Sequence, residues 1–177
     1  MTTNRLVTIN LKGVVVSIDP TELIAKTPTQ LFINGKWVDS SSSETFDVEN
    51  PATGEVIATV ASATGEDAIK ALDAASHARY EWSHTSSRER SSILKKAFDL
   101  VQENSEELAT LMTLEMGKPL AESRGEVTYG GEFLRWFSEE ANRIGGQYST
   151  RPEGTLRYLL SRRPVAPCFL ITPWNFQ

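Results

Sequence analysis

A single cysteine, Cys168, in a chain of 177 residues excludes an internal disulfide framework and suits a reducing compartment. Positive charge is also scarce. The 18 Lys and Arg stand against 23 Asp and Glu, a net charge of −5, whereas a nucleic-acid footprint needs a clustered basic face. No run approaches the roughly 18 apolar residues of a membrane span. Of the two histidines, neither His77 nor His84 has metal-ligand partners at useful spacing, so no metal site is expected. No Gly-x-Gly-x-x-Gly follows a strand, and Gly145-Gly146 reads as a helix stop rather than a phosphate loop. What remains is a globular composition, 40% hydrophobic and 23% charged, expected to be soluble and cytoplasmic. A chain of this length can form one domain that buries roughly 70% of its unfolded surface.

Residues 1–29 read as an N-terminal arm, poorly ordered and loosely attached through the Pro20 and Pro28 flanks. The apolar run Val14-Val15-Val16-Ser17-Ile18 is bracketed by Lys12 and Asp19. It is too short for a secretory signal, and no small-residue cleavage site is evident. From Gln30 the pattern tightens. Leu31-Phe32-Ile33, Asn34-Gly35 and Lys36-Trp37-Val38 predict a hairpin, because Asn-Gly supplies the positive φ angles of a type I′ turn. A serine-rich loop spans Asp39 to Glu44. Asn50-Pro51-Ala52-Thr53-Gly54 is a turn into a strand from Glu55 to Ala61, with Val56, Ala58 and Val60 on one face.

Four helices follow. Thr64 and Asp67 form a capping box, and the helix behind them is expected to bury Ala68, Ile69, Leu72 and Ala75. Ser86-Ser87-Arg88-Glu89 is a second capping box, opening a helix with Ile93, Leu94, Ala97, Phe98 and Val101 on one stripe. Asn104 is expected to cap the third, which carries Leu108, Leu111 and Met112 and stops at Gly117. The fourth begins at Pro119 and runs to about Ile144, with Val127, Phe133, Leu134, Phe137 and Ala141 inward. Glu103, Glu106 and Glu107 read as a solvated face.

Leu156 to Arg163 then reads as a strand, with Arg162-Arg163 flanking it at the surface. Val165 to Ile171 reads as another, with too few polar positions for one exposed face, so burial on both sides as in a parallel sheet is expected. Cys168 inside it is read as a buried structural residue and not a nucleophile, with Pro167 marking an edge or bulge. The order of hairpin, strand, helices and strands is that of an α/β protein cut off before its parallel sheet is built.

Four segments appear in sequence order: Phe32-Ile33-Asn34-Gly35-Lys36-Trp37, Asn50-Pro51-Ala52-Thr53-Gly54-Glu55, Leu114-Glu115-Met116-Gly117-Lys118-Pro119 and Ile171-Thr172-Pro173-Trp174-Asn175-Phe176. Together they resemble the N-terminal part of the NAD(P)-dependent aldehyde dehydrogenase superfamily. Lys118 to Val127 and Phe133 to Ala141 are most similar to its succinate-semialdehyde dehydrogenase branch. The resemblance covers about residues 30–176. It implies an aldehyde-dehydrogenase-like N-terminal portion truncated before the catalytic domain. Residues 30–177 would then be an incomplete cofactor-binding domain, with a first oligomerisation-type strand at about 155–163.

The same resemblance implies a small-molecule aldehyde substrate, NAD or NADP as cofactor, and a family-type homo-oligomer. Asn175 matches the asparagine whose amide helps hold the aldehyde oxygen. Cysteine attack leaves negative charge on that oxygen, and a fixed neutral donor stabilises it without titrating. Ile171, Thr172, Pro173 and Trp174 match positions that contact the nicotinamide cofactor, and Phe176 matches an aromatic at the substrate tunnel. Gln177 departs from the pattern, which has proline there. The nucleophilic cysteine, the general-base glutamate, the pyrophosphate turn, the ribose-binding lysine and a carboxylate-selecting arginine are all expected beyond Gln177. The chain alone is therefore expected to be inactive. A rival expectation is a non-catalytic fragment that pairs with a full-length subunit through an unpaired strand. A third is a degenerate gene remnant.

Overall fold

The computed structural model describes residues 6–9 and 15–172. In order they form β1 (Leu6–Ile9), β2 (Val15–Ile18), α1 (Pro20–Lys26), β3 (Leu31–Ile33), β4 (Lys36–Val38), β5 (Thr45–Asn50), β6 (Glu55–Ala61), α2 (Gly65–His84), α3 (Ser87–Glu103), α4 (Ser105–Met116), α5 (Leu120–Glu140), β7 (Gln147–Thr150) and β8 (Arg157–Leu160). Among the described residues every sheet is a two-stranded antiparallel hairpin, and no parallel pair is present. The fold is α/β, as expected.

Local rules explain the hairpins and helix ends. Asn34 and Gly35 take φ of 52° and 74°, the turn that matches strand twist, and they bring Phe32 opposite Trp37 with ring centroids 4.9 Å apart. The turn between β5 and β6 is set by Asn50, whose Oδ1 accepts from the Ala52 N–H at 2.9 Å. Thr64 opens α2 with both halves of its capping box in place. At Ser86 only the half in which Oγ accepts from the Glu89 N–H is made. Asn104 differs from expectation. Its side chain makes no cap to α4, and its Nδ2 donates back to the Leu100 carbonyl of α3 at 2.8 Å. Gly117 ends α4 at φ 75°, and a Cβ there would stand 2.8 Å from Pro51 Cγ, so the turn and the helix end need glycine for two reasons.

Helices α3, α4 and α5 form a packed layer, and its contacts are close where small residues permit. Gly131 of α5 is buried, and a Cβ added to it would meet Gln102 and Val101 of α3 at 3.2 and 3.4 Å. Ala109, Val127 and Ala141 complete the buried apolar set of this layer. Glu106 and Glu107 are not simply solvated, as they pin the layer from two sides. Arg124 donates to both oxygens of Glu106 at 3.0–3.2 Å, and Lys26 donates to Glu107 at 2.5 Å. The second pair anchors α1, whose Leu23 is buried and whose N-terminus is capped by Asp19. Residues 20–26 of the expected loose arm are therefore attached, and Pro20 is a helix-starting residue.

Several expectations about burial fail: Phe133 and Phe137, expected inward on α5, and Ile93 on α3 are about half exposed. The stripe of α2 is exposed, with Ile69 and Leu72 open to solvent, and only Asp67 of that helix is buried. Val165 to Ile171 is not a strand of any sheet, and Val165, Phe169, Leu170 and Ile171 are 79–88% exposed. Both patterns are those of core elements, and nothing among the described residues covers them. The total accessible surface is 13807 Å². A compact monomer of this mass would expose about 8,600 Å². The chain hides roughly half of its unfolded surface instead of the roughly 70% that its length permits.

Candidate functional site

Residues 161–172 follow β8 and belong to no strand or helix, and no backbone–backbone hydrogen bond is made by them among the described residues. Ile171 and Thr172 lie at the end of this segment, both exposed. Apart from Pro164 and Pro167, which carry no N–H, and the Ala166 carbonyl, its main-chain groups are available for strand pairing or for contact with a ligand. Pro173, Trp174, Asn175 and Phe176, the remaining site residues read from the sequence, lie outside the described residues.

Cys168 is exposed, against the expectation of burial, because the segment that carries it is uncovered. Its thiol donates to the Ala166 carbonyl at 3.6 Å, and no titratable side chain of the described residues bonds to it, so the geometry lacks a base to activate it. His77 and His84 are exposed on α2, where each Nδ1 pairs with a carbonyl one turn back, Asp73 at 2.7 Å and Tyr80 at 2.8 Å. Among the described residues no group of His, Cys, Asp and Glu is gathered in a way that could hold a metal ion, and no helix is long and apolar enough to cross a membrane.

The described residues enclose a cleft of about 1290 Å³ between the end of α2, the start of α3, the end of α5 and residues 160–164. Trp82, Leu94, Trp136, Phe137 and Ile144 form its apolar wall, and Arg90, Arg143, Arg162 and Arg163 stand along it. Arg143 is paired with Glu140 at 2.8 Å, and Arg90 donates to the Thr85 carbonyl at 2.5 Å. Neither Ile171 nor Thr172 lines this cleft.

Two interactions of the helical layer were not legible in the sequence. Lys118, only 8% exposed, pairs with Glu126 of the next helix, and Thr113 and Ser123 join their hydroxyls at 2.8 Å beside it. These tie α4 to α5 across the Gly117 turn. An eight-residue separation across a helix break carries no pattern that would announce it. Burial also pushes the Glu115 carboxyl up from the ordinary range at the end of α4.

Asp67 is the most strongly perturbed acid. It is 3% exposed and accepts from the Thr64 N–H at 3.0 Å, the Ser41 N–H at 3.2 Å, and the hydroxyls of Thr64 and Ser40. The backbone bond from Thr64 does most to hold its carboxyl well below the usual range. A depressed acid stabilises the fold above its unfolded pKa and loses that contribution as pH falls toward its folded value. Acid unfolding below about pH 4 should therefore be steeper for the wild type than for Asp67→Asn. Titration of both chains by circular dichroism checks this, with Asp67→Asn less stable at neutral pH. Its role is structural, joining the serine loop to α2.

Comparison with known proteins bears on the whole arrangement. The model of the aldehyde dehydrogenase family matches residues 37–177. A succinate-semialdehyde dehydrogenase of Paenarthrobacter nicotinovorans is 61% identical over 121 residues, which is 68% of this chain and 27% of that protein. A glutarate-semialdehyde dehydrogenase of Pseudomonas putida is 43% identical over 147 residues, 83% of this chain and 31% of that protein. The crystal structure of betaine aldehyde dehydrogenase from Staphylococcus aureus in complex with NAD+ superposes with a TM-score of 0.72 at 34% identity, over 75% of this chain and 27% of that one. The chain spans about a third or less of each of these proteins.

Proposed function

Since the chain belongs to the aldehyde dehydrogenase family, we propose that it is the N-terminal, cofactor-side portion of an NAD(P)-dependent enzyme that oxidises succinate semialdehyde to the dicarboxylic acid. The observation that carries this reading is the 61% identity to a succinate-semialdehyde dehydrogenase, sustained over two thirds of the chain. The segment 161–172 supports it physically. Ile171 and Thr172 at its end make no backbone–backbone hydrogen bond among the described residues, so they can meet a cofactor through main-chain groups as the family pattern requires.

In the reaction a cysteine thiolate supplied by the rest of the polypeptide adds to the aldehyde carbon. A nicotinamide cofactor, which residues 171–174 would hold, would supply the acceptor for the hydride that leaves that carbon. Water then cleaves the thioester, and its oxygen enters the carboxylate. The role of this chain is positional. Asn175 donates its amide N–H to the oxyanion, residues 171–174 hold the cofactor, and Phe176 walls the substrate tunnel. Without the nucleophile, binding and oxyanion contacts alone leave only residual catalysis.

Two assays test the reading. The 177-residue chain should form no NADH or NADPH above background with succinate semialdehyde. A chimera in which residues 37–177 replace the equivalent stretch of the Paenarthrobacter nicotinovorans relative should prefer succinate over glutarate semialdehyde in kcat/KM. One extra methylene in such a pocket is worth roughly 10–200-fold. A chimera that favours glutarate semialdehyde would move the assignment to the second relative's substrate.

A further inference from the structure

We propose that Ser41 is a phosphorylation site, and that a phosphate there releases the serine loop 39–44 from the start of α2. The inference concerns a switch in the fold and does not depend on the dehydrogenase reading.

The structure gives the serines of this loop different duties. Ser40 is buried and its hydroxyl donates to Asp67 at 3.2 Å, so no modifying enzyme reaches it. Ser42 closes the turn, with its Oγ accepting from the Glu44 N–H at 3.2 Å. Ser43 holds the left-handed corner at φ 58°. Ser41 combines exposure with attachment to the helix. Its N–H donates to both Asp67 oxygens at 3.2 Å, and its Oγ lies 2.8 Å from Thr64 Oγ1. Charge identifies the kind of enzyme that would act on it. Asp39, Glu44 and Asp47 flank the serines, and residues 37–69 contain no Lys or Arg. Such a stretch complements a protein kinase whose substrate groove is basic. In the transfer, Ser41 Oγ attacks the γ-phosphorus of a nucleoside triphosphate. The new O–P bond replaces the bond to the β–γ bridging oxygen, the nucleoside diphosphate leaves, and the serine proton passes to the kinase's base.

The consequence follows from what surrounds the new charge. A phosphoserine carries about −1.5 to −2 at neutral pH. It would stand beside Asp67, a buried carboxylate that accepts from Ser40, Ser41 and Thr64 and stays ionised. Lys70 is the cation on the facing turn of α2. Its ammonium is 2.8 Å from Glu66 and 3.9 Å from Asp67, so it is already shared between two carboxylates. The start of a helix attracts anions. Here, however, Asp67 already takes the Thr64 N–H and the Thr64 hydroxyl takes the Asp67 N–H. Repulsion from a desolvated carboxylate therefore outweighs that attraction, and it is relieved when the loop leaves Asp67. The loop and the helix start are the two-state element, and the phosphate is the charge that biases it.

The test incubates the intact 177-residue chain with an acidophilic, casein-type protein kinase and MgATP. The product is mapped by mass spectrometry and then melted. The expected result is one phosphoryl group on Ser41, none on Ser41→Ala, and a Tm lower by about 4 °C or more than that of the unmodified chain. In Asp67→Asn the repelling charge is gone, so the same phosphate should lower Tm by less than half as much. Ser41→Glu supplies a negative charge without the kinase, and its loss of Tm should show the same dependence on Asp67. The proposal is overturned if the kinase modifies a control acidic peptide and leaves Ser41 bare, or if the phosphate goes to Ser42 or Ser43 instead. It is equally overturned if the modified chain melts like the unmodified one, or if Asp67→Asn loses as much Tm as the wild type.

Discussion

Replacing Asn175 with alanine in the chimera described above should lower kcat by about 10²–10³-fold, with a much smaller change in KM. The expectation follows from where charge develops. The substrate carbonyl is neutral, and the tetrahedral adduct carries a full negative charge on oxygen. A fixed amide donor is therefore worth more in the transition state than in the ground state. Asp at the same position should be worse than Ala, because its carboxylate would repel the oxyanion at neutral pH. A steady-state comparison of the three chains with succinate semialdehyde checks this. Should Asn175→Ala retain wild-type kcat and change only KM, the residue shapes binding and the assignment to the oxyanion is wrong. Asn175 lies outside the described residues, so this experiment carries the role that the resemblance gives it.

The second large effect is on folding. Gly131 sits where α5 crosses α3, with Gln102, Val101 and Phe98 within 3.8 Å of the position a Cβ would take. Gly131→Leu puts a branched side chain into that contact and must separate the helices or force strained rotamers, which costs roughly 1–3 kcal/mol. Its neighbour is the control. Gly130 has nothing within 4 Å of its Cβ position and lies mid-helix, so Gly130→Ala should stabilise by about 0.4–1 kcal/mol through backbone entropy and propensity. At this chain length each kcal/mol moves Tm by roughly 2–4 °C. Thermal melts should therefore separate the two variants by several degrees in opposite directions. Equal melts would mean that the α3–α5 contact does not support the layer.

Where the sequence was readable, the rule involved was local. Asn34-Gly35, the Thr64–Asp67 box and the Gly117 stop each depend on a few adjacent residues, and each formed where its pattern stood. β5 and β7 were missed because neither carries a long apolar or alternating run. Each is defined by pairing with β6 or β8. Asn104 shows the limit of propensity, since one amide had two carbonyl and amide neighbours to choose from and took the one behind it. The Lys118–Glu126 pair required knowing how α5 turns back on α4.

Burial failed in a more instructive way. Apolar periodicity states what a segment needs, not whether the need is met. The stripe of α2 and the run Val165 to Ile171 both read as core, and both stand in water here. For the site, the residue-level reading identified a turn at the end of an apolar run. The roles of Asn175 and its neighbours came from resemblance alone, because an asparagine in a turn most often serves its own backbone.

The claim that unites fold and function is that this stretch is the working N-terminal part of a semialdehyde dehydrogenase. The most direct measurement is reduction of NAD+ or NADP+ at 340 nm by the purified chimera with succinate semialdehyde. The account predicts turnover comparable to that of the Paenarthrobacter nicotinovorans relative, and none from the 177-residue chain under the same conditions. A chimera that folds and binds the cofactor yet leaves succinate semialdehyde unoxidised would contradict it.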